Sequence, residues 1–214
     1  MKTRPLSIGL TGGIGSGKTL LSKVFMEIGV PVFCSDIEAK ACYEDKEFVR
    51  LIAKEISPSI IQNGELSKPT LASIIFSDQT KREKLNALVH PKVFSKYEQW
   101  FSQQTAPYVI TETAILFEIG WQQHFDKIIC VRSPLEVAME RIMQRDNITK
   151  QEARQRISAQ MPPETKASLS DYIIEHDNQT MLLPQVLDIH ARILELTNFN
   201  KVSSKQNKAL TNLK

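Results

Sequence analysis

Five short, mostly apolar runs punctuate the chain, at residues 6–10, 30–34, 107–112, 127–131 and 171–174. Each has the length of a strand rather than a helix. Between them the apolar residues change to helical spacing. Leu20, Leu21, Val24, Phe25 and Ile28 share one face of a helix that starts near Lys18, and Gly29 ends it. Roughly seventy residues separate the second and third strands, far more than a crossover needs. Their apolar positions, Phe48, Leu51, Ile52, Leu71, Ile74, Ile75, Leu85, Leu88 and Val89, predict an inserted helical subdomain. That helix is expected to end near His90-Pro91, with His90 opening the next one. Leu183, Val186, Leu187, Ile193 and Leu194 predict a final helix packed on the sheet. No internal repeat is present, and the alternation of strands and helices makes this an α/β chain.

Composition narrows the class. Of 214 residues, 42% are apolar, which excludes wholesale disorder. No run approaches the apolar length of a membrane span. The opening MKTRPLSIGL lacks a signal-peptide core, so a cytoplasmic protein is expected, with Cys34, Cys42 and Cys130 as reduced thiols. The 27 basic against 24 acidic residues overstate the charge of the folded body, because residues 200–214 hold four lysines and no acid. A near-neutral body argues against a nucleic-acid partner, and nothing points to a membrane one. Residues 200–214 are expected to be disordered, and a monomer is favoured.

The glycines locate the chemistry. Five of the eight, Gly9, Gly12, Gly13, Gly15 and Gly17, fall within nine residues. Gly12-Gly13-Ile14-Gly15-Ser16-Gly17-Lys18-Thr19 fits G-x-x-x-x-G-K-[ST] and lies between a strand and a helix, as that motif requires. Glycines let successive backbone N–H groups converge on a polyphosphate, and the helix N-terminus adds positive potential. Lys18 would reach the β- and γ-phosphates, and the Thr19 hydroxyl would ligate Mg²⁺.

Other candidates stand at the carboxyl ends of strands, where ligands bind in an open α/β sheet. Asp36 ends the second strand and could take a proton from an attacking hydroxyl. Ser35-x-x-Glu38 supplies a capping box for the next helix, so Asp36 is not needed as its cap. Glu112 ends the third strand as a Walker-B acid does and could hold Mg²⁺ directly or through water. Ile115-Leu116-Phe117-Glu118 follows, with Phe117 a core residue or a substrate contact and His90 a further contact. Arg141 and Arg145 share a helix face, and Arg154 and Arg156 follow in a segment that could close over a triphosphate; the competing reading is a solvated face with a Glu152–Arg156 pair. A phosphate loop alone leaves open a small-molecule kinase for a nucleoside or sugar, or a GTP-dependent switch. No Asn-Lys-x-Asp guanine-reading motif is present.

From about Leu6 to Leu196 the chain resembles the dephospho-CoA kinase family. The resemblance is carried in order by the loop Gly9–Thr19, Pro31-Val-Phe-Cys-Ser-Asp36, Leu88-Val-His-Pro91, Ile115-Leu-Phe-Glu118, Glu140–Asp146, Arg156-Ile-Ser-Ala-Gln-Met-Pro162 and Ser170–Ile174. It implies ATP- and Mg²⁺-dependent phosphorylation of the 3′-hydroxyl of dephospho-coenzyme A, the last step of coenzyme A synthesis. It implies a three-layer P-loop NTPase-type α/β fold with a five-stranded parallel sheet. The parts would be a nucleotide-binding core (residues 1–36, 108–132 and 166–199), a helical substrate subdomain (37–107) and a helical lid (133–165). Carried over by position, Asp36 is the catalytic base, Lys18 and Thr19 serve phosphate and metal, and Arg141, Arg145 and Arg156 contact phosphates. The chain departs from that family's usual pattern at Cys34 and Glu112, and at Ala114 and His176 (near the adenine).

Overall fold

The computed structural model describes the backbone of residues 4–211 and the side chains of residues 4–197. The chain runs β1 (Leu6–Gly12), α1 (Lys18–Glu27), β2 (Val32–Cys34), α2 (Ser35–Ala41), α3 (Lys46–Glu55), β3 (Ile61–Gln62), β4 (Glu65–Leu66), α4 (Lys68–Ser77) and α5 (Gln79–Ser102). It continues through β5 (Tyr108–Glu112), β6 (Lys127–Arg132), α6 (Leu135–Asp146), α7 (Lys150–Ser158), α8 (Pro163–Ser168), β7 (Tyr172–Glu175) and α9 (Leu182–Thr211). It divides into two compact units, residues 1–33 with 104–214, and residues 34–103.

The larger unit is built on a five-stranded parallel sheet of order β2-β5-β1-β6-β7. Strand β1 is central. It pairs with β5 from Leu6 opposite Tyr108 to Leu10 opposite Glu112, and with β6 from Ile8 opposite Lys127 to Gly12 opposite Val131. Every residue of β5 and all but the first of β1 are buried, which is why these strands read as continuous apolar runs. One face of the sheet packs on α1 and α9 through Ile8, Leu10, Leu21, Phe25, Ile129 and Ile189. On Gly9 a side chain would stand 2.5 Å from Leu116 and 3.2 Å from Phe125, so that glycine admits the chain following β5 against the strand. Helix α8 also packs on β1 and β6. Helix α9 runs through Thr211; after Pro184 no proline or glycine interrupts it. Residues 212–214 of the tail lie outside the described part.

The unit of residues 34–103 is mostly helical, and it differs from the sequence expectation in three places. An Asn63-Gly64 turn, with φ of 51° and 81°, joins β3 to β4 as an antiparallel hairpin. Helix α5 does not stop at His90-Pro91 but passes through Pro91. Leu85, Val89, Val93 and Tyr97 are buried at four-residue spacing on both sides of the proline, and that continuous packing outweighs the lost hydrogen bond. Helix α2 begins at Ser35, with Cys34 as its cap and no side-chain capping bond. Ser35 therefore does not serve as the cap, and its buried hydroxyl has no hydrogen-bond partner.

Candidate active site

The loop between β1 and α1 is the centre of the site. Helix α1 is capped by Gly17 in the left-handed region (φ 97°), with no side-chain hydrogen bond and no acid in its first turn. Its N-terminal amides are thus not met by a capping carboxylate, an arrangement open to an anion. A Cβ on Gly17 would lie 2.1 Å from His176 Nδ1, so this position needs glycine for both its backbone angle and its space. The Lys18 side chain is buried against its own loop. Its ammonium donates to the carbonyls of Gly12 (3.0 Å) and Gly13 (2.9 Å).

Glu112, at the end of β5, faces α1 with both carboxylate oxygens engaged. Thr19 Oγ1 donates to one at 2.9 Å and Ser22 Oγ to the other at 2.7 Å. Because the Thr19 proton points to Glu112, the hydroxyl's lone pairs remain for a cation. A hydroxyl backed by a carboxylate is a hard-oxygen set of the kind Mg²⁺ accepts, since that ion uses one or two protein oxygens and takes the rest from phosphate and water. Ser22 was not legible as a site residue. It stands one helical turn after Thr19, which was the available signal.

Arg141 approaches the loop from its carbonyl side. Its Nη1 donates to Ser133 Oγ (3.1 Å) and lies 3.4 Å from the carbonyls of Gly15 and Ser16; its Nη2 donates to the His176 carbonyl (3.3 Å). Burial lowers the Arg141 pKa from its ordinary value. His176 Nδ1 is 3.0 Å from Arg141 Nη1 and 2.8 Å from the Ser16 carbonyl, so its tautomer decides whether it accepts from the first or donates to the second. His176 thus sits against the phosphate loop.

Arg145 and Arg156 are brought together, on one carboxylate. Asp146 accepts from Arg145 Nε at 2.8 Å and from Arg156 Nη1 at 2.5 Å. The Arg145 hydrogen bond leads in lowering the Asp146 pKa, helped by the charge of both arginines. Glu152, set against Arg156 by spacing alone, instead closes a capping box with Thr149 at the start of α7. Phe117 is half-buried in the chain after β5, while Leu116 takes the core position beside it.

Two further candidates lie in the unit of residues 34–103. Asp36 is exposed in the first turn of α2. His90 is half-buried in the middle of α5, where desolvation lowers its pKa.

The sequence profile of the dephospho-CoA kinase family matches residues 6–181. Over 196 residues the chain is 34% identical to a dephospho-CoA kinase of Bacteroides fragilis, covering 91% of this chain and 96% of that protein. It is similar to a solved Thermus thermophilus structure at 32% identity and a TM-score of 0.79, covering 91% of this chain and 99% of the other. A dephospho-CoA kinase structure from Campylobacter jejuni shares the fold, with a TM-score of 0.63 at 22% identity over 91% of this chain and 98% of that one. With its motif loop, its parallel sheet and these relatives agreeing, the chain belongs to the dephospho-CoA kinase family.

Proposed function

We propose that the chain transfers the γ-phosphoryl group of ATP to the 3′-hydroxyl of dephospho-coenzyme A, yielding ADP and coenzyme A, the final step of coenzyme A synthesis. The observation that carries this reading is the loop Gly12–Thr19, with Lys18 held over it and Thr19 oriented by Glu112, in a chain of this family.

Backbone amides of residues 13–19 receive the phosphates, apart from that of Ile14, which Gln160 holds, and Lys18 adds its charge from its place on the Gly12 and Gly13 carbonyls. Thr19, with Glu112 behind it, would hold Mg²⁺, which would supply charge neutralisation to the phosphates. Asp36 accepts the acceptor's hydroxyl proton as its oxygen bonds to the γ-phosphorus and the bond to the bridging oxygen of ADP breaks. Arg145 and Arg156 leave Asp146 for the transferring group, while Arg141 adds charge from the carbonyl side of the loop. His90 and Phe117 contact the acceptor. Among the described residues no helix is long and apolar enough to cross a membrane. The enzyme is proposed to work in the cytoplasm as a monomer.

Incubation with ATP, Mg²⁺ and dephospho-CoA should give a product heavier by one phosphate on mass analysis. Preferential phosphorylation of a nucleoside or sugar would replace this reading with that of another small-molecule kinase. Asp36→Asn should lower turnover by roughly 10²-fold or more while leaving ATP affinity nearly intact; unchanged turnover would remove Asp36 from the base role.

A further inference from the structure

One peptide unit of the phosphate loop is held at both ends. The Gly13 carbonyl accepts from Lys18 Nζ at 2.9 Å and from the Ser16 amide at 3.2 Å. The N–H of the same unit, that of Ile14, donates to the side-chain oxygen of Gln160 at 2.9 Å. Gln160 lies 146 residues further along the chain, in the connection between α7 and α8.

That connection is itself anchored. The next amide, Met161 N–H, donates to Glu118 Oε1 at 2.9 Å. The same oxygen stands 2.7 Å from the ammonium of Lys166, a fully buried side chain that also donates to the Ala114 carbonyl. The pairing gives the connection a fixed point, because breaking it would take a partner from the buried Lys166 charge. Pro163, which opens α8, would lie 3.7 Å from a Cβ on Gly13. The Gln160 amide group therefore reaches the loop from a secured support.

We propose that Gln160 is a positioning residue for the phosphate loop: it locks the Gly13–Ile14 peptide plane with its carbonyl towards Lys18 and so presets the amides of the following residues for a polyphosphate. Gly13, lacking a Cβ, leaves the amino side of this peptide loosely restrained, so the plane can rotate part of the way although Ile14 resists a full flip. Rotation here would aim the Gly13 carbonyl away from Lys18 and bring an oxygen towards the anion. Ile14, Gln160 and Met161 line one cavity of about 660 Å³, so water can reach Ile14 N–H once the glutamine is gone, but cannot fix the peptide plane as a tethered acceptor does. In the proposed function Thr19 and Asp36 serve the metal and the acceptor, while Gln160 acts through the loop.

The inference rests on the nucleotide-binding part of the proposed function, and its binding and exchange tests use ATP alone, without acceptor. Gln160→Ala in the full chain should speed amide exchange at Ile14 and weaken ATP binding, each by about tenfold, the scale of one lost hydrogen bond. KM for ATP should rise while KM for dephospho-CoA stays put, a split that general loosening of the fold would not give. Gln160→Glu keeps the acceptor oxygen and should restore slow exchange at Ile14. If the alanine variant does not fold, Gln160→Asn, shorter by one methylene, should show the same losses. Wild-type ATP affinity and Ile14 exchange in the alanine or asparagine variant would overturn the role of Gln160, whereas failure of the wild-type protein to bind ATP would overturn the nucleotide reading.

Discussion

Lys18 is 8% exposed and its ammonium is held by two carbonyls of its own loop, whereas Arg145 and Arg156 keep 62% and 45% of their side chains exposed and share the carboxylate of Asp146. In the proposed function both places concentrate cations for a polyphosphate. In the first, backbone geometry, burial and neighbouring side chains fix the charge in advance. In the second, one half-buried carboxylate holds two exposed cations, and an incoming phosphate can compete for them. A preorganised charge costs no rearrangement at the moment of reaction, while an exchangeable one can be gathered only once the nucleotide has arrived.

The comparison breaks first at Lys18. Lys18→Ala should cut turnover by about 10²–10³-fold, the scale for removing one preorganised donor. Steady-state rates check this, and a variant with normal turnover would mean that the loop is not the phosphate site. Arg156→Ala should be milder, lowering kcat/KM for ATP by about tenfold, an effect that shrinks as salt is raised because the group is exposed. An effect of Arg156→Ala as large and as salt-insensitive as that of Lys18→Ala would erase the distinction. The smallest change is expected for Asp146→Asn, whose loss of stability should not exceed about 1 kcal/mol at neutral pH. The Asp146 pKa is lowered in the folded state, so its contribution is full above the ordinary carboxylate range and is lost as pH falls through the lowered value. Denaturant curves for Asp146→Asn and wild type should therefore converge in acid. A difference that persists at low pH would show that Asp146 acts through something other than its charge.

The core strands were legible because burial on both faces leaves the same signature wherever it occurs, and the phosphate loop because few sequences pack five glycines so tightly. The hairpin at Asn63-Gly64 carried a strong turn signal that its short flanking strands did not reinforce. Pro91 read as a stop because local propensity favours one there; the buried face that overrides it spans residues 85–97 and belongs to the packed protein. The arginines were legible as a group, but not their common partner, since ten residues separate Arg156 from Asp146. Gln160 could be seen within a family-like run, yet its target lies at the other end of the chain, and no spacing rule joins such positions.

Lys166 is enclosed completely, with its amine between Glu118 and the Ala114 carbonyl. An acylating reagent added from solution can modify it only during the intervals when α8 lifts away. The pace of its labelling, compared with that of exposed lysines such as Lys54, therefore works as a clock for how often this arm comes loose, readable by peptide mass alone and without substrate.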